Sequence, residues 1–155
     1  MKLIPYALTR FFCSIGELGS PVMYLLALLA IAFVDLQASF VLALPFVLLE
    51  LVCAGIKLAW HRPRPRPRRY DPANGSLLEK YHAGSFPSSH AARIMVVALL
   101  IIRLFPLGWV YALSSLVTLA VGYSRVFRKR HYWSDVIGGW VVGAAVGVVY
   151  TPLFL

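Results

Sequence analysis

The feature that most constrains this chain is a succession of apolar runs, at about 21–34, 38–60, 88–105, 107–123 and 136–155, each set off by short polar or basic stretches. A hydrocarbon layer roughly 30 Å thick is crossed by about 20 apolar helical residues, so runs of this length and spacing suit a chain that weaves through a membrane. Lipid offers no hydrogen bonds to the backbone, so each crossing must satisfy its own, as a helix does. The sequence therefore predicts an all-α fold, a polytopic membrane bundle of about five transmembrane helices. Composition agrees: 60% of the 155 residues are hydrophobic and the mean hydropathy is +0.76, too apolar for a soluble domain of this size. A single domain over residues 1–155 is expected.

Residues 1–20 mix Lys2, Arg10 and Glu17 with Leu3, Ile4, Phe11, Phe12 and Ile15, the pattern of an N-terminal interfacial helix. No small-residue cleavage site stands out, and apolar sequence continues past a usual leader, so a signal peptide is not expected. The run at 38–60 carries Glu50 and Lys57, which should face the bundle interior because lipid exposure of a charge is unfavourable. Residues 61–87, rich in Arg, Pro and Gly, lack helical periodicity and read as a long extramembrane loop, a type that usually has a task. Phe105-Pro106-Leu107-Gly108 turns the chain back on itself as a helical hairpin. Gly138, Gly139, Gly143 and Gly147 give the last run a small-residue face for close packing. Cys13 and Cys53 sit among apolar neighbours and read as packing residues.

Counting crossings brings the end of the second run, the start of the third and the end of the fourth to one membrane face. Cations gather there. A formal charge of +9 would suit nucleic acid, but the basic residues lie at the ends of apolar runs, where they meet headgroups or a phosphorylated ligand. Membrane lipids and a phosphorylated ligand are the expected partners, and nucleic acid is not.

The three converging stretches contain Lys57 and Arg64, then Pro87-Ser88-Ser89-His90, then Ser124-Arg125 followed by His131 and Asp135. Lys57 supplies a point charge, and Arg64 and Arg125 supply planar forks, a set suited to a phosphoryl group. Ser88 reads as a helix cap, leaving backbone N–H groups directed outward as an anion site. His90, just inside that helix, is placed to protonate a leaving oxygen. His131 and Asp135 are four apart, so on a helical turn the carboxylate can hold the imidazole N–H and leave the other nitrogen free to attack phosphorus. The acidic residues are few and scattered, so no metal site and no cofactor is expected.

In this order and spacing, K-x-x-x-x-x-x-R-P (Lys57 to Pro65), P-S-x-H (Pro87 to His90) and S-R-x-x-x-x-x-H-x-x-x-D (Ser124 to Asp135) resemble the signature of the type 2 phosphatidic acid phosphatase superfamily. The resemblance implies an integral-membrane, metal-independent lipid phosphatase acting through a phosphohistidine. His131 would be the nucleophile, His90 the general acid and Asp135 the residue that positions His131, with Lys57, Arg64, Ser88, Ser89 and Arg125 binding phosphate. Ser89 stands where the family commonly has Gly. Polyprenyl pyrophosphate, phosphatidylglycerophosphate, phosphatidate and lipid A phosphates are all open as substrates. The alternatives are a vanadium haloperoxidase-like enzyme, in which vanadate fills the same anion pocket, and a noncatalytic lipid-binding protein.

The remaining basic residues have simpler readings. Arg66, Arg68 and Arg69 suit headgroup attraction, His61 and His82 read as loop residues, and Arg128, Lys129 and Arg130 as a solvated run. The positive-inside rule places the cation-rich face in the cytoplasm. The family resemblance points outward, and required catalytic arginines bias the count. A bacterial cytoplasmic membrane with a periplasmic site is the expectation.

Overall fold

The computed structural model describes residues 6–66 and 75–154, which contain seven helices and no strand. The Lys2, Leu3, Ile4, Arg68 and Arg69 readings lie outside the described residues. In chain order the helices are α1 (Tyr6–Glu17), α2 (Pro21–Ala32), α3 (Leu36–Ala59), α4 (Leu77–Ala83), α5 (Ser89–Leu104), α6 (Gly108–Phe127) and α7 (Trp133–Phe154). Local chemistry sets several starts. Ser20 caps α2 with Pro21 in its first turn, and Asp35 Oδ1 accepts from Ala38 N at 2.9 Å to open α3.

Length and hydropathy qualify α3, α6 and α7 as membrane spans, and α1 with α2 qualifies only as a pair bent by 53°. By length and composition alone three helices thus qualify, or four if that pair counts as one span. At 16 residues, α5 extends only about 24 Å at 1.5 Å per residue. Its Ala91, Ala92, Val96 and Leu100 are all buried among its neighbours. The N-terminal helix α1 is seated against the bundle. Phe12 packs on Tyr123 and Phe127, with ring centroids 4.9 and 5.0 Å away, and Ser124 Oγ donates to Phe12 O, seating α1 along α6.

The core joins α3, α5 and α7 through Leu49, Cys53, Ala92, Val96, Leu100, Val146 and Tyr150. The small-residue face of α7 meets α5 as expected. A Cβ on Gly139 would lie 2.5 Å from Ser88 O, and one on Gly143 would collide with Ala92 O. Glycine is what lets the two backbones touch. That approach also holds the start of α7 against the start of α5, where Ser88 N donates to Asp135 O at 2.9 Å.

The loop expected between the second and third runs is not wholly irregular. Ser76 and Glu79 form a capping box that starts α4. Seven residues are too few for a helical period to show in sequence.

Candidate active site

The ends of α3, α5, α6 and α7 meet at one end of the bundle and bring the three motifs together. Lys57, on the last turn of α3, is buried, and its Nζ donates to Gly84 O at 3.2 Å and lies 5.2 Å from the Tyr81 ring centroid. Arg64 reaches the same carbonyl with Nη2 at 3.1 Å. Arg125, on the last turn of α6, is buried with no hydrogen-bond partner for its Nε.

Ser88 stands at the N-cap of α5 as expected, but its hydroxyl does not cap the helix. Its Oγ and that of Ser89 are buried without a partner. Buried polar atoms are normally hydrogen-bonded, and exceptions cluster where a ligand supplies the missing bonds. Hydroxyls and a guanidinium nitrogen left in this condition beside two further cations favour an anionic ligand. His90 follows in the first turn of α5, half-buried in the electrostatic field of Arg125, Arg93, His131 and Lys57. Its backbone is packed against Gly19, where a Cβ would lie 2.7 Å from His90 O.

His131 precedes α7 and is buried. Its Nδ1 lies 2.9 Å from Ser85 O and 3.7 Å from Asp135 Oδ2. The direct imidazole–carboxylate hydrogen bond expected from the four-residue spacing is therefore replaced by one to a backbone carbonyl. The reason is local, because Asp135 Oδ2 already accepts from Ser85 Oγ and from Tyr132 N at 2.8 Å. The second of these bonds is the carboxylate half of a capping box at the start of α7. A carbonyl can only accept, so Nδ1 carries the proton and the Nε2 lone pair is left bare. Burial, opposed by the Asp135 carboxylate and reinforced by Arg64, Lys57 and Arg125, pushes the His131 pKa down to about 4. At neutral pH the ring is uncharged in a cationic pocket.

Other expectations fall out as follows. His61, His82 and Arg66 are exposed. Glu50 is satisfied, with Oε1 2.5 Å from Arg93 Nε and Oε2 accepting from Tyr81 OH at 3.0 Å. Arg128 pairs with Glu17 at 3.1 Å. Among the described residues, no group of three His, Cys, Asp or Glu side chains has a metal-holding arrangement. Sequence reasoning passed over Arg62, Gly84 and Ser85. Arg62 hides in an arginine–proline alternation, and Ser85 and Gly84 act partly through backbone atoms that any residue carries.

The PAP2 superfamily profile matches residues 23–155, most of the chain and all three motifs. The chain belongs to the PAP2 superfamily. Among curated proteins, this PAP2 chain is 35% identical over 60 residues to an undecaprenyl-diphosphatase of Sulfolobus acidocaldarius, covering 39% of the chain and 29% of that protein. It is 28% identical over 96 residues to the undecaprenyl-diphosphatase BcrC of Bacillus subtilis, covering 61% of the chain and 47% of that protein. The matched part thus spans less than half the length of either relative. Two solved PAP2-type folds superpose closely. One is the transmembrane PAP2-type phosphatidylglycerolphosphate phosphatase of Bacillus subtilis, with TM-score 0.76, 22% identity and coverage of 97% of this chain and 78% of that one. The other is Aquifex aeolicus LpxE, with TM-score 0.75, 21% identity and coverage of 97% and 88%. Both likenesses establish the fold. The chain is an integral membrane protein of this family.

Proposed function

We propose that the chain is a lipid phosphatase acting by nucleophilic catalysis, with a polyprenyl diphosphate as the favoured substrate. The observation that carries this reading is the buried His131, fixed by Ser85 O with Nε2 bare, in the field of Lys57, Arg64 and Arg125. In this reading Nε2 attacks the terminal phosphorus, and the bond from phosphorus to the leaving oxygen breaks. Lys57, Arg64, Arg125, Ser88 and Ser89 hold the equatorial oxygens as charge spreads over them. His90 gives its proton to the leaving oxygen. Water, deprotonated by the same His90, then breaks the phosphorus–nitrogen bond and releases phosphate.

The tail is accommodated outside the bundle's core. A groove of about 570 Å³ between α2 and α3 is lined by apolar side chains including Leu28, Phe46, Val47 and Leu51, and ends at Glu50, Tyr81 and Arg93. Tyr81 also touches Lys57, so the groove leads to the phosphoryl pocket. The names of the two curated relatives favour an isoprenoid diphosphate over the other lipid phosphates. We place the site on the periplasmic face of a bacterial cytoplasmic membrane.

Phosphate release by purified protein from polyprenyl diphosphate, phosphatidylglycerophosphate, phosphatidate and lipid A tests the reading, with polyprenyl diphosphate expected to turn over fastest. Release from none of them, or halide oxidation with bound vanadate, would overturn it. Cysteines introduced in the 61–87 loop should react with an impermeant reagent in intact cells, and their protection would reverse the orientation.

A further inference from the structure

Asp135 does not hold His131 directly, which raises the question of what orders the imidazole. The answer lies in a closed ring of contacts among Arg62, Ser85 and Asp135, to which His131 is joined through Ser85 O. The fully buried carboxylate accepts from Arg62 Nη1 at 2.8 Å through Oδ1, and from Ser85 Oγ through Oδ2. Ser85 N in turn donates to Arg62 O at 2.8 Å. Ser85 O receives the Nδ1–H of His131 at 2.9 Å. Arg62 is itself braced, donating to Ser134 Oγ at 2.7 Å and lying 4.6 Å from the centroid of the Tyr132 ring. Ser85 is thereby fixed at its N–H and hydroxyl, and the carbonyl that sets the His131 tautomer has one available direction.

We propose that Arg62 and Ser85 are positioning residues for His131, acting through Asp135: the guanidinium orients the carboxylate, the carboxylate anchors the Ser85 hydroxyl, and the Ser85 carbonyl orients the ring. This inference rests on the phosphatase reading of the same site. Arg62 has a second effect, through charge. His131 is faced by Asp135 from α7, Lys57 from α3, Arg64 from the following loop, Arg125 from α6 and His90 from α5, while Arg62 acts on it through its ion pair with Asp135. Arg62 is the cation that neutralises the one carboxylate in this set. Without it the negative field at the imidazole grows, and protonated His131 becomes easier to form.

The test is steady-state phosphate release, with pH profiles, for wild type, Arg62→Met, Arg62→Lys, Ser85→Ala and the Arg62→Met/Ser85→Ala pair. Arg62→Met is expected to lower kcat about 10- to 100-fold with little change in KM, in line with the loss of groups that orient a reacting side chain. Its acid limb should move to higher pH. Arg62→Lys keeps the charge but not the fork, and should recover part of kcat and return the acid limb towards the wild-type position. Ser85→Ala, which keeps the carbonyl, should lower kcat less, and the double variant should fall short of the product of the single effects, as for residues in one network. If Arg62→Met fails to fold, Ser85→Ala and Arg62→Lys carry the test. Wild-type kcat in Ser85→Ala and Arg62→Lys with an unmoved acid limb, or a raised KM at unchanged kcat in Arg62→Met, would overturn the positioning role alone. A wild-type chain that releases no phosphate would overturn the phosphatase reading and this inference with it.

Discussion

Two clusters of charge lie within this bundle, and they differ in whether the protein satisfies them. At Glu50 both carboxylate oxygens are engaged, one by Arg93 and one by Tyr81, and Arg93 also donates to Gly19 O at 3.0 Å. That network ties α3, α4, α5 and the bend after α1 into one unit. About two turns further along α3, Lys57 lies among Arg64 and Arg125, and Ser88 Oγ, Ser89 Oγ and Arg125 Nε have no protein partner. The satisfied cluster is architecture. The unsatisfied one leaves desolvated donors whose natural complement is an anion, which is how burial distinguishes a binding site from a structural ion pair.

This contrast can be broken most forcefully at the nucleophile. His131→Ala should lower phosphate release by at least about 10⁴-fold, the scale seen when a nucleophile is removed, with the folded protein retained by size-exclusion chromatography. Arg125→Met removes a pocket cation and should lower kcat/KM by about 10²- to 10³-fold, comparable with loss of one charge-stabilising donor, while thermal stability holds or rises. The Glu50 cluster should respond in the opposite sense. Glu50→Gln is expected to destabilise the fold by about 1–2 kcal/mol, below the range for fully buried pairs because Glu50 is part-exposed, read as a lowered Tm with kcat changed less than about threefold. Replacing Glu50 and Arg93 together by Leu should restore much of that stability, since no charge is then left unpaired. The smallest effect is on pH. Because His131 is pushed down to about 4, kcat/KM corrected for substrate ionisation should stay nearly level from neutral pH down to about 5. A half-loss near pH 6.5 would mean an imidazole in ordinary solvent.

Much of this was legible in the sequence, and the parts that were not share a cause. Residue type and spacing located Lys57, Arg64, His90, Arg125, His131 and Asp135 because their side chains are rare in apolar sequence and recur at fixed offsets. The glycine face of α7 was readable for the same reason. The helix α4 was too short to declare a period, and nothing in the run at 88–105 told how far neighbours would enclose α5. Spacing placed Asp135 beside His131, with Oδ2 3.7 Å from Nδ1, but cannot see that its oxygens also accept from Ser85 and Tyr132 and that the ring's hydrogen bond goes to Ser85 O. A backbone carbonyl, present at every residue, carries no signature at all. Arg62 was overlooked since it lies in an arginine–proline alternation of which only Arg64 and Pro65 fit the motif.

The central claim is that the imidazole of His131 carries the phosphoryl group between substrate and water. Rapid denaturing quench of the enzyme with polyprenyl diphosphate labelled in its terminal phosphate, followed by peptide mass spectrometry, reads that directly. The account predicts an acid-labile, base-stable phosphate on His131 that forms and decays within turnover and is absent from His131→Ala. Label on another residue, or undiminished phosphate release by His131→Ala, would contradict it.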